Sequence, residues 1–501
     1  VRTTAFRSLL LASLAIVAGG SPTFAQPETP RTLDSLAQRE AIRGAGWSRV
    51  IVRAIDRSST PVVRQILERA GGLAGRELPI INARTALVPN AALAGLAHNP
   101  FIAAIALDRP VRATLERTAA AIGATSVRQE LGYDGSGIGV AVIDSGVTSW
   151  HDDLDGPAGQ RVSEFVDFVS GSPSAYDDYG HGTHVAGTIA GNGFDSGGAR
   201  TGIAPGAHLL VLKALDATGS GRISDVIAAM EYVLARKDAL NIRVANLSFS
   251  AGVFDSYELD PLTLATRRLV EAGIVVVAAA GNAGRDVNGQ AVYGGVSAPA
   301  NAPWVLTVGA SNHHGTASRD DDSAAPFTAR GPGNVANNAK PDVLAPGVGI
   351  ESLADPASAL YVAKSDYLLP GTVPTAYLPY LSLSGTSMAA PVVAGTVALM
   401  IQANPALTPN AVKAILQYTA QPYAGYDALT QGAGFLNARG AVELARYFAS
   451  PAGSAYPAMA NWAGYLIWGN QLVRRGRLLP NVNAWRADVI WGSARTPSGE
   501  N

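Results

Sequence analysis

The 501-residue chain contains no cysteine. It therefore has no disulfide, no thiol nucleophile, no iron–sulfur cluster and no cysteine-ligated zinc. Charge is scarce as well, at 15% of residues with a net value of −1, against ~25% charged in a typical domain. Nothing in that balance favours nucleic acid as a partner. Long hydrophobic runs are missing too. Leu9–Ala18 is apolar over ten residues, short of the ~20 that span a bilayer, and later apolar stretches are interrupted by Gly, Pro, Asn or Gln, so no membrane span is expected. What the chain has is 48% hydrophobic residues, 54 glycines and 30 prolines. That composition builds a large core and excludes disorder for the bulk of the chain. The length suggests about three domains.

Segments differ in character. Arg2 and Arg7, the Leu9–Ala18 run and the small residues Thr23 and Ala25 form the pattern of a secretory signal over residues 1–25, which implies a secreted protein. Residues 26–115 carry 12 Arg against 7 acids, whereas residues 116–445 carry 18 basic against 30 acidic side chains. Within the basic front segment, Ser48–Ile55 and Phe101–Asp108 read as strands and Leu78–Val88 as one or two. Thr60–Ala70 and Asn90–His98 read as helices, the second with an Asn cap. The order is a ferredoxin-like βαββαβ unit.

From Gly137 the pattern is α/β. Gly139–Ile143, Leu209–Ala214, Arg243–Leu247, Ile274–Ala278 and Val305–Ala310 are short continuous apolar runs. They alternate with helical stretches at Ser224–Arg236, Pro261–Ala272 and Ser387–Ala403. Such runs belong to a parallel sheet covered by helices on both faces, with its site at the carboxyl ends of the strands. Residues 447–501 hold four of the seven tryptophans, at 462, 468, 485 and 491. This tail reads either as a segment packed on the body or as a separate binding element.

Four groups could do chemistry. Ser387 opens an apolar helix, whose unpaired N–H groups and dipole favour an oxyanion, and Pro391 is expected in the helix's first turn. A lone serine there would be read as a cap. His181 and His184 lack the glutamate of a His-Glu-x-x-His zinc site, and an imidazole suits general-base work at neutral pH. Asp144 closes a buried strand, and Asn282 follows another. Each alone would be read as a turn residue. Chain order discriminates among catalytic classes. All seven histidines precede Ser387, which excludes the Ser–acid–His order of α/β-hydrolases. Asp144, His181, Ser387 is the order of subtilisin.

Val142–Val147, His181–Gly187, Ala280–Asn282 and Gly385–Pro391 together resemble the four active-site blocks of subtilisin-like serine proteases. The resemblance implies a secreted serine endopeptidase acting on protein or peptide substrates and made as a self-processed precursor. It implies an inhibitory propeptide over residues 26–118 and a catalytic domain over 119–446. Ser387 would be the nucleophile, His181 the general base, Asp144 its orienting carboxylate and Asn282 an oxyanion donor, with His184 structural. Gly219, Ser220 and Gly221 resemble the edge that pairs with an extended peptide. Ser248, Phe249, Ser250, Ala279, Ala280 and Gly281 resemble the walls of the first specificity pocket, although Ser250 replaces the usual Gly. Catalysis would need no cofactor. Asp153 resembles one carboxylate of a family calcium site, but residues 192–201 supply no clear partner ligands, which leaves structural calcium open. A silent binding protein on this fold would normally lack a triad member, and none is missing here.

Overall fold

The computed structural model describes residues 32–79, 82–107, 115–157, 159–331, 339–474 and 476–493. Residues 1–25, read above as a secretory signal, lie outside them. The chain divides into two compact units, Val1–Val111 and Arg112–Asn501.

The first unit is a four-stranded antiparallel sheet of order Leu73–Leu78, Ala83–Pro89, Trp47–Ala54, Ile102–Leu107. Val50, Val52 and Val88 project from it against Val63 and Leu67 of helix Thr60–Arg69 and Leu93 of helix Asn90–Ala97. This is the expected βαββαβ order with one more helix, Ser35–Arg43, capped by Asp34. Two details differ from the sequence reading. The second strand starts at Leu73, directly after the glycine pair that stops the helix, and most of it precedes the expected range. Asn90 is not a cap: its amide donates to Glu40 and to the Ala45 carbonyl.

The second unit is built on an eight-stranded sheet. Its strands lie in the order Ser323–Ala324, Leu306–Asn312, Val275–Ala279, Ile242–Leu247, Gly139–Asp144, His208–Lys213, Val162–Asp167, with Val343–Pro346 also paired to Leu306–Asn312. All pairings except that of Ser323–Ala324 are parallel. Alternate side chains of each strand serve opposite layers. Val140, Val142, Leu209 and Val211 face one hydrophobic core, while Ala141, Ile143, Leu210 and Leu212 face the other. The first strand, Gly139–Asp144, sits in the middle, and strand order reverses around it. A crevice therefore opens at its carboxyl end, where Asp144 stands.

Helix Thr386–Ala403 is long and apolar enough by composition to cross a membrane, yet 83% of it is buried inside the body. Its small residues let it lie against the central strands. Helix His181–Ala190 approaches the turn after Asp144 just as closely. A Cβ on Gly182 would stand 2.2 Å from the Gly146 carbonyl oxygen, and Gly146 itself has φ +125°. The two glycines bring the carboxylate turn and the histidine helix into backbone contact.

The aromatic residues after 447 pack on this unit. Leu466, Leu478, Trp485 and Trp491 are buried in the core that holds the central helix. Strands Tyr465–Trp468 and Gln471–Arg474 form a hairpin, and Asn410 donates from its amide to the carbonyls of Ala484, Arg486 and Val489.

Candidate active site

Asp144 ends a fully buried strand. Its Oδ1 accepts from the Ser145 N–H at 2.8 Å and from His181 Nδ1 at 2.7 Å. A carboxylate can only accept, so Nδ1 carries the imidazole proton and Nε2 presents the lone pair. Asp144 is wholly buried and the His181 side chain is 14% exposed. Burial opposes the charged imidazole. The charge and hydrogen bond of Asp144, joined by the charge of Asp177, outweigh it and hold the His181 pKa above the ordinary 6.5.

Asp177 escaped the sequence reading. It is buried and collects the Gly180 N–H, the Thr183 N–H and the hydroxyls of Thr183 and Ser145. Ser145 Oγ in turn accepts from the Gly182 N–H at 2.9 Å. One carboxylate thus pins the start of the His181 helix to the Asp144 turn, and burial pushes its pKa up. The available signal was an acid four residues before a Gly-flanked His.

His184 lies one turn further along. Its Nε2 donates to the Ile350 and Leu381 carbonyls at 3.0 and 3.1 Å. Burial, then the charge of His181, lowers its pKa to about 4. It is a neutral buried ring with a structural role.

Ser387 is the second residue of helix Thr386–Ala403. Its neighbour Thr386 holds Asn282. The Thr386 N–H and hydroxyl both donate to Asn282 Oδ1, at 2.9 and 3.0 Å, and Thr386 Oγ1 accepts from the Gly281 N–H at 3.1 Å. A backbone N–H cannot accept, so the amide orientation is fixed and Nδ2 is left on the side of Gly385. Asn282 is exposed and Ala279, Ala280 and Gly281 are buried behind it.

Pro391 is not in the first turn. The helix starts at Thr386, so Pro391 falls inside it, and its missing N–H is the one that the Ser387 carbonyl would have accepted. Ser248 supplies the bond instead, with its Oγ donating to the Ser387 oxygen at 2.9 Å. Ser248 is therefore turned inward, whereas Phe249 is half-buried and Ser250 is exposed.

Residues 215–221 form a tight turn that is exposed beyond the buried Leu215. The Asp216 N–H donates to the Ser220 carbonyl, Leu215 bridges Gly221, and Gly219 has φ +74°. A Cβ at Gly219 would meet the Tyr179 ring at 2.5 Å, and that ring lies 6.3 Å from the His181 ring. Tyr179, also unforeseen, lies between the edge segment and the imidazole.

Asp153 is buried with His151 and Asp195, one donor atom of each lying within 4.8 Å of the others. The set does not fit calcium, which takes six to eight oxygen ligands. One donor is a nitrogen, and His151 Nδ1 already accepts from the Asp153 N–H. The Asp153 carboxylate is engaged by the Asp195 N–H and the Tyr380 hydroxyl. Only the Asp195 carboxylate lacks a hydrogen-bond partner, and burial raises its pKa.

The fold is a doubly wound α/β sheet with the Asp144–His181 pair at the carboxyl end of its central strand. The sequence model of the subtilase family matches residues 135–441, and the chain belongs to that family. Serine protease AprX of Bacillus subtilis is 37% identical over 362 residues, 71% of this chain and 78% of that protein. Subtilisin E of the same organism is 32% identical over 384 residues, 76% of this chain and 86% of the relative. Subtilisin Savinase of Lederbergia lenta is 34% identical over 310 residues, covering 62% and 92%. The protein is a subtilisin-like serine endopeptidase.

Proposed function

We propose that the chain is an exported endopeptidase, made as a self-processed precursor, in which Ser387, His181, Asp144 and Asn282 carry the reaction. The observation that supports these roles most is the 2.7 Å bond from His181 Nδ1 to Asp144, which leaves Nε2 basic. Ser387 Oγ attacks the scissile carbonyl and its proton passes to Nε2. The carbonyl π-electrons move to oxygen, where Asn282 Nδ2 and the Ser387 N–H stabilise the charge. His181 then protonates the leaving amine as the C–N bond breaks, giving an acyl-enzyme. Water repeats the sequence to release the acid. Asp144 orients the ring and stabilises its cation.

The 215–221 edge would add to the sheet formed with an extended substrate, backbone to backbone. Phe249, Ser250 and Ala279–Gly281 would border the first side-chain pocket. Export is supported by the charge and hydropathy pattern of residues 2–25. Inhibition by the front unit is supported by its independent core and its basic charge, opposite in sign to the body. The test is expression of Ser387→Ala beside wild type, with a casein digest of each. We expect the variant to accumulate as precursor and to leave casein intact. Wild-type digestion by the variant would overturn the assignment.

A further inference from the structure

The residue proposed above as nucleophile lies in a helix that lacks the regular i+4 donor for the carbonyl of that residue. In an α-helix the carbonyl of residue i accepts from the N–H of residue i+4. For Ser387 that residue is Pro391, which has no N–H. A buried carbonyl without a donor is destabilising and would leave the first turn free to shift. Ser248 Oγ meets it at 2.9 Å.

The direction of that bond is enforced from behind. Asn246 Nδ2 lies 2.8 Å from Ser248 Oγ, and Asn246 and Ser248 are 0% and 2% exposed. The Ser387 oxygen can only accept, so the Ser248 hydroxyl proton must point to it. Asn246 must then offer its amide N–H to the Ser248 lone pair. Asn246 sits on strand Ile242–Leu247, in register with Val142 of the strand that ends at Asp144. The central sheet therefore holds Asp144 directly and the Ser387 backbone through two side chains.

We propose that Ser248, held by Asn246, is a positioning residue. It replaces the helical bond deleted by Pro391 and so fixes the Ser387 hydroxyl relative to the Asp144–His181 pair. This rests on Ser387 being the nucleophile. The role differs from that of a pocket wall, which would act on substrate affinity.

The test compares wild type, Ser248→Ala and Ser248→Ala/Pro391→Ala as mature enzymes on peptide substrates. Active-site concentration is set by titration with a fluorophosphonate that labels the nucleophile. We expect Ser248→Ala to lower kcat by roughly 10- to 100-fold, the scale of a displaced reacting group, with KM little changed. Restoring an N–H at position 391 gives the carbonyl its donor back, so the double variant should recover most of kcat. A rise in KM alone, an unchanged kcat, or a loss that Pro391→Ala does not relieve would overturn the proposal. If Ser248→Ala does not accumulate as folded enzyme, the double variant decides alone: it must approach wild-type kcat. Fluorophosphonate on a residue other than Ser387 would mark failure of the catalytic assignment itself, a result distinct from any of these.

Discussion

At the residue scale, the imidazole is the group whose behaviour the geometry constrains most. His181 faces two carboxylates, Asp144 by hydrogen bond and Asp177 by charge, with neutral His184 behind it. Its pKa lies above 6.5, and only the neutral ring can take the serine proton. Activity should therefore rise with pH through a midpoint above 6.5 and be lost as pH falls below it. A kcat/KM profile on a neutral peptide checks this, and a midpoint well under 6 would contradict it. The residues proposed to face substrate were readable as motif strings because each belongs to a short block. Asp177 and Tyr179 were not, since their importance lies in contacts across the Asp144 turn and the 215–221 edge. The consequence of Pro391 was misjudged for a similar reason. Its consequence lies in a contact across the fold, because the compensating donor is Ser248, just after strand Ile242–Leu247 and 139 residues earlier.

At the element scale, five of the eight strands of the large sheet were legible because a covered parallel strand is a continuous apolar run, and those runs match the sheet to within a residue or two, whereas Val162–Asp167, Ser323–Ala324 and Val343–Pro346 were not read from the sequence. The strand at Leu73–Leu78 was largely missed, since its Arg76 and Glu77 break the alternation. The tail was undecided, because four tryptophans do not announce what they cover. In the structure the Trp491 ring lies tilted at 50° against Trp468 with centroids 4.5 Å apart, and Lys413 Nζ lies 5.1 Å from the Trp491 ring. That buried ammonium donates to the Pro303 and Val305 carbonyls and pairs with Asp342 at 3.1 Å. Trp491→Ala would open a cavity beside a desolvated ion pair. We expect it to cost about 3–5 kcal/mol, read by urea unfolding of enzyme blocked at its active site to prevent self-digestion. A loss under 1 kcal/mol would show that the tail is an appendage.

At the scale of the whole molecule, the expected division after residue 118 meets a physical obstacle. Leu115–Ala121 is a helix, and Thr118, fully buried, bonds His313 at 3.0 Å. Compactness separates the units at Val111 and Arg112 instead. Cleavage after 118 would cut that helix and strip Thr118 from the body. We expect the first residue of the mature enzyme to lie before Leu115, as determined by N-terminal sequencing; a start at residue 119 or beyond would contradict this. The front unit, supplied separately as residues 26–111, should then inhibit the mature enzyme. The opposite charges should make that inhibition weaker at high salt.

The most direct test of the catalytic assignment is covalent labelling. Mature enzyme treated with a fluorophosphonate should gain one adduct, mapped by peptide mass spectrometry to Ser387. The adduct should be lost in His181→Ala that has been matured in trans by wild-type enzyme, because the hydroxyl is reactive only when Nε2 can take its proton. An adduct on another residue, or equal labelling without His181, would contradict the catalytic roles proposed for Ser387 and His181.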